Sequence, residues 1–199
     1  LEKMFGPIDC SLAYSYTGWV FNRAFHQAFI TPNERGEHGG GHINVASMVC
    51  CDEEIRFYSA GSKAEHFRNQ ELNDAALMLH TLRKDGFVYL ESYSTRGRII
   101  TKGLLFKEDD LRLNVCVPYG LVRVQILDDK ANPIEGFTYR DAIPFTGDEI
   151  EYRPRWKHGT SIKRLLGKPG FLEIEITEGA LYAIRGEFDC VGYGLIVHE

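Results

Sequence analysis

"IRFYSAG" (residues 55–61) decides the fold. Its side chains alternate with a period of two: Ile55, Phe57 and Ser59 fall on one face, and Arg56, Tyr58 and Ala60 on the other. That is the pattern of a strand covered on one side. The polar turn "DEE" (52–54) precedes it. Before the turn runs "HINVASMVCC" (42–51), long and apolar, whose Val, Ile and Cys content favours a strand. Two strands joined by a short acidic turn make one unit of sheet.

The neighbouring stretches follow suit. "SLAYSYT" (11–17) alternates and then breaks at Gly18. "AALMLHTLR" (75–83) has the Ala and Leu content of a helix, but it is short and follows strands, so we assign it to a strand. Residues 10–84 thus read as about one four-stranded sheet. A sheet of this size leaves an apolar face uncovered unless something packs on it.

The character changes at "RKDGFVYLES" (83–92). Asp85-Gly86 signals a turn and "FVYLESY" a new strand. We place a boundary near residue 84, between a segment 1–84 and a domain 85–199. Beyond it, "RIITKGLLF", "LRLNVCV", "GLVRVQILD", "EIEYRPRW", "FLEIEIT" and "ALYAIRGEF" recur at the spacing of a β-sandwich. "RVQILDDKANPIEGF" (123–137) ends a strand in Asp128-Asp129, turns through Asn132-Pro133 and restarts near Ile134. Only "SIKRLLGKPG" (161–170) interrupts, with Ser161 placed to cap a single helical turn and Gly167 and Pro169 to end it. The expected class is all-β.

Composition narrows the function. Of 199 residues, 44% are hydrophobic and 26% charged, and the formal net charge is −5. This is ordinary for a globular protein. No basic run marks a nucleic-acid surface; the nearest cluster, Arg153, Arg155, Lys157 and His158, is short and interleaved with aromatics. No apolar run approaches the roughly 18 residues of a membrane span. Cys10, Cys50, Cys51, Cys116 and Cys190 are odd in number and form no C-x-x-C pair, so they read as reduced thiols packed as small apolar groups. That points to the cytoplasm. The chain opens on Leu1 without a signal-peptide core, and we read it as a fragment or processed product.

A longer series carries a resemblance. "LAYSYTGWVFNR", a Gly-rich turn, "DEEIRFYSAGSKAEH" and "LHTLRKDGFVYLES" follow in fixed order. Together they resemble the last blade of a five-bladed β-propeller glycoside hydrolase, of the kind in families 32 and 43. The blade-opening "S-x-D-G-x-x-W" of such proteins is matched by Ser15 to Trp19, with Thr17 in place of the usual Asp and the Trp shifted. Glu54 to Gly61 matches the "DEIRFYYxG" strand, and Leu82 to Leu90 the segment that leaves the propeller. "GRIITKGLLFKEDDLRLNV" and the sequence after it are similar to the C-terminal sandwich of the same proteins, so the resemblance spans roughly residues 10–188.

The resemblance implies a partial propeller blade followed by a jelly-roll-like β-sandwich, the C-terminal portion of an enzyme acting on oligosaccharides or glycosides. It implies carbohydrate as ligand, and upstream blades or another chain covering the first segment. Composition leads us to expect no nucleic acid and no membrane, and with no P-loop or G-x-G-x-x-G we expect no cofactor. Such enzymes set three carboxylates around a funnel, in "W-x-N-D-P", "R-D-P" and "E-C" strands. None of these strings occurs here, although hydrolysis needs two carboxylates at a set separation. The alternative is a non-catalytic sugar-binding or structural β-sandwich module.

Candidate ligand-binding residues follow. "GEHGGGH" (36–42) holds Glu37, His38 and His42, which would bind a divalent ion or a sugar at the funnel mouth. The H-x-x-x-H spacing gathers two ligands on a helix, but three glycines oppose a helix. The competing explanation is a loop whose glycines give the backbone a tight path. Relatives often carry an Asp in this turn, where Gly39 stands here. They also place a His near the position of His66, facing the funnel, with Glu65 beside it. Trp19, Tyr58 and Trp156 are candidates to stack on a sugar ring, against the alternative of core packing. The acidic turns Asp109-Asp110, Asp128-Asp129 and Asp148-Glu149 read as solvated caps and are where a structural calcium would bind.

Overall fold

The computed structural model describes residues 6–65 and 74–191. The chain divides into two compact units, Leu1–Lys84 and Asp85–Glu199. All regular structure among the described residues is strand or short 3-10 turn, so the protein is all-β.

In the first unit, β1 (Ala13–Tyr14) pairs with β2 (Asn22–Arg23). An antiparallel sheet follows from β3 (His42–Cys50), β4 (Glu54–Ser62) and β5 (Ala75–Arg83), in the order β3-β4-β5. "AALMLHTLR" is therefore a strand, and the alternation of residues 55–61 holds: Ile55, Phe57 and Ser59 are buried. Phe29 meets Phe57 edge to face at 5.7 Å. A serine can lie on the buried face because His80 Nε2 lies 2.8 Å from its Oγ, so the hydroxyl is not left unpaired.

The expected four-stranded sheet is corrected to three strands and a separate ribbon. "SLAYSYT" contributes only Ala13–Tyr14, and these pair with β2, not with β3. Ser15 and Thr17 are the cause. Ser15 Oγ accepts from the Gly18 amide at 2.8 Å, and Thr17 Oγ1 from the Trp19 amide at 3.2 Å. These local turns take backbone donors that a longer strand would need.

The second unit holds β6 (Leu90–Ser92), β7 (Gly97–Ile100), β8 (Gly103–Phe106), β9 (Arg112–Leu127), β10 (Phe145–Tyr152), β11 (Pro169–Thr177), β12 (Gly179–Arg185) and β13 (Phe188–Val191). They form one curled sheet in the order β13-β8-β11-β9-β12-β6, with β7 also paired to β11 and β10 to β9. Ser161 caps a 3-10 turn at Ile162–Leu165, its Oγ accepting from the Lys163 amide at 3.2 Å.

"LRLNVCV" and "GLVRVQILD" are not two strands but one, β9, sixteen residues long. Its first half pairs with β12 as far as Cys116, and its second half with β11 from Leu121. Between them lie Val117, Pro118, Tyr119 and Gly120. The buried face changes parity there, from Leu113, Val115 and Val117 to Val122, Val124 and Ile126. Gly120 permits the bend: a Cβ at this position would stand 1.7 Å from the Thr177 carbonyl oxygen. The core fills the inside of the curl with these residues and Leu172, Ile174, Ile176, Phe137 and Trp156.

Candidate functional site

The "GEHGGGH" loop closes against the end of β4. The Gly39 and Gly41 amides both donate to the Ser62 carbonyl, at 3.1 and 2.9 Å, and the Gly40 amide donates to the Glu37 carbonyl at 2.9 Å. Asn33 Nδ2 donates to the His38 carbonyl at 2.9 Å. His42, at the start of β3, holds Nδ1 3.3 Å from the Ala64 carbonyl. His38 Nε2 lies 3.5 Å from Asp74 Oδ1, and Arg35 Nη2 donates to Glu65 Oε1 at 2.8 Å.

Glu37, His38, His42 and Glu65 are thus brought to one end of the three-stranded sheet. Among the described residues, Tyr58 and Trp19 are not part of this group. Tyr58 lies mid-strand, opposite Leu79. Trp19 sits in the turn between β1 and β2, 90% exposed. His66 lies outside the described residues. Among the described residues, no three His, Cys, Asp or Glu side chains gather as a metal ion would require. Trp156 is a core residue, 4% exposed, with its indole N–H donating to the Val124 carbonyl at 3.0 Å.

The second unit buries two carboxylates on one face of β11. Glu175 accepts from Arg96 Nη1 at 3.0 Å and from Arg123 Nε at 3.0 Å. Glu173 lies 2.8 Å from Arg98 Nη1 and accepts from Gln125 Nε2. Burial opposes ionisation of Glu175, but Arg123 and Arg96 outweigh it and hold the carboxyl below its usual range. Both carboxylates have cationic partners, which compensate the burial of their charge. Tyr139 lies over Arg123, its ring 5.4 Å away, and burial pushes its phenol upward.

A cavity of about 550 Å³ opens elsewhere on this unit. Glu91, Ala180 and Cys116 lie in register across β6, β12 and β9. Ala180 and Cys116 are small and leave open space between the walls, which Tyr93, Tyr119 and Tyr182 supply. Tyr182 sits at a bulge in β12, between Leu181 and Ala183. Tyr93 donates its O–H to Glu91 Oε2 at 2.9 Å, which raises its phenol above the ordinary value. The Glu178 amide donates to the Tyr93 carbonyl at 2.9 Å and fixes that wall.

No family model, curated protein or solved structure matches the chain. The tyrosines of this cavity were not among the residues expected from sequence, yet two carried a signal. Tyr119 stands between Pro118 and Gly120, and Tyr93 between two serines. Turn-forming neighbours mark places where a strand bends or ends, and the structure puts Tyr119 at the bend inside β9 and Tyr93 one residue past β6.

Proposed function

We propose that the chain is the C-terminal portion of a glycoside-hydrolase-like protein, serving carbohydrate recognition and support rather than bond cleavage. The observation that carries this reading is the first unit's sheet, which leaves large apolar side chains uncovered on both faces. Val45 and Met48 are exposed on the face of Phe57, and Val49, Leu77 and Leu79 on the face of Tyr58; Leu77 is 80% exposed. Exposed apolar surface on this scale marks an interaction face. It fits a propeller blade whose neighbours are supplied from elsewhere.

The non-catalytic half of the reading rests on the carboxylates. At the loop end of the first unit, Glu65 is held by Arg35 and Asp74 faces His38. In the second unit Glu173 and Glu175 are held by arginines. Two experiments on the full chain test the reading together: a glycan array, and incubation with aryl glycosides. Binding without release of the aryl alcohol is the expected outcome. Absence of binding to every immobilised glycan rules out the recognition role. Turnover that disappears on substitution of a single carboxylate of this chain rules out the non-catalytic assignment.

A further inference from the structure

We infer that the trough walled by Tyr93, Tyr119 and Tyr182 is a binding site for a neutral pyranose oligosaccharide, with Glu91 and Glu178 accepting hydrogen bonds from its hydroxyls. This inference deepens the carbohydrate reading and rests on it.

The wall chemistry supplies the first argument. Tyr119 is 89% and Tyr93 73% exposed, so two large rings stand in water beside an open space. A tyrosine offers an apolar face and a polar tip, and it loses little conformational freedom on contact. A pyranose has the matching pair of features, apolar C–H faces and a polar hydroxyl rim. A volume of about 550 Å³ lies within the range of small-ligand sites.

Charge supplies the second. The cavity is lined by Glu91 and Glu178 and by no Lys or Arg. Phosphorylated, sulfated or acidic ligands are therefore repelled. A carboxylate has four lone-pair sites and accepts from neighbouring hydroxyls in pairs. The hydrogen bond from Tyr93 to Glu91 uses only part of that capacity.

Continuity supplies the third. Tyr182 also lines an adjoining apolar cavity of about 320 Å³, with Tyr89, Leu90 and Ile99. Its ring centre lies 5.4 Å from that of Tyr89. Aromatic surface thus continues from one cavity into the next, which suits a ligand of more than one ring. An organic cation is the competing occupant, because tyrosines and carboxylates also attract positive charge. A caged cation needs rings that enclose it, whereas Tyr93 and Tyr119 stand open to solvent.

The test is calorimetry on the full chain with neutral gluco-, xylo-, manno-, galacto- and fructo-oligosaccharides, and separately with tetramethylammonium. With the saccharide that binds, Tyr119→Ala and Tyr93→Ala each weaken affinity about tenfold. Tyr119→Phe keeps most of the affinity, Glu91→Gln reduces it, and Tyr16→Ala in the first unit leaves it unchanged. Saccharide binding that ignores both tyrosine substitutions but is lost in His38→Ala overturns this site, while the carbohydrate reading stands with the sugar on the first unit. Failure of every saccharide overturns both. Tyrosine-dependent binding of tetramethylammonium without a saccharide response overturns the sugar assignment in favour of a cation.

Discussion

Trp156 donates its indole N–H to the Val124 carbonyl at 3.0 Å, inside the core of the second unit. The bond closes a strand edge. Val124 pairs with β11 on one side, but β10 on the other side reaches only to Val122. Beyond that point the free edge of β9 is taken by a loop: the Ile126 amide donates to the Phe137 carbonyl, and the Ile134 amide to the Ile126 carbonyl. Trp156 completes this cover, which keeps the longest strand from pairing with another chain.

Removing the indole nitrogen therefore has a cost beyond packing. Trp156→Phe leaves the Val124 carbonyl unpaired in the core and lowers stability by about 1–3 kcal/mol. Trp156→Ala adds a cavity and costs about 3–5 kcal/mol. Urea unfolding followed by far-ultraviolet circular dichroism measures both. Equal stability of the Phe variant and the parent would show that the bond contributes nothing.

The acid limb of stability contains Glu175. Burial raises its pKa, Arg123 and Arg96 lower it by more, and the folded-state value lies below the usual 4.5. A depressed carboxyl stabilises the fold fully above its unfolded pKa and loses that contribution as pH falls through the folded value. The stabilisation is thus whole above about pH 4.5 and fades below it. Glu175→Gln lowers the urea midpoint at pH 7, and the gap to the parent closes toward pH 3. A gap that stays constant over this range would remove Glu175 from the acid limb.

The all-β class was legible because alternation is local. Ile55, Phe57 and Ser59 share a face by strand geometry alone, and the buried face of β4 follows. The reach of the strands was not legible. Ser15 and Thr17 shorten β1 through side-chain bonds that compete with the ladder, and Pro118 and Gly120 mark a bend inside β9 instead of its end. Whether a Pro-x-Gly stretch ends a strand depends on partners far along the chain, here β11 and β12. The loop end of the first unit was partly legible. Glu37, His38 and His42 are near in sequence, whereas the pairing of Glu65 with Arg35 spans 30 positions. The tyrosine cavity needed three strands in register, which no single stretch encodes.

The alkaline limb contains Tyr152. Burial pushes its phenol up to about 12. A group with a raised folded-state pKa stabilises the fold fully below its unfolded value, near 10, and the contribution is lost as pH rises through the folded value. Stability therefore falls between about pH 10 and 12. Tyr152→Phe keeps the ring stacked on Phe145, whose centre lies 4.2 Å away, and extends the stable range upward. Thermal melts from pH 8 to 12 measure the shift, and superimposable alkaline limbs for the variant and parent would count against it.

The three glycines of "GEHGGGH" answer to a different test from Gly36 in the same motif. A Cβ on Gly41 would meet the Ala64 carbonyl oxygen at 2.1 Å and its carbon at 2.2 Å, both backbone atoms that cannot rotate away. Gly36 has a φ of +91° and open space around it, so Gly36→Ala pays only for its backbone conformation, about 1 kcal/mol. Gly41→Ala must also push two segments apart, and it costs more, about 1–3 kcal/mol from overpacking. The displacement loosens the Gly39 and Gly41 amides from Ser62 and His42 from Ala64, so both glycine amides exchange faster with solvent deuterium. In Gly36→Ala they keep their protection. Identical exchange in the two variants would mean that close approach does not hold the loop, and that its glycines serve flexibility instead.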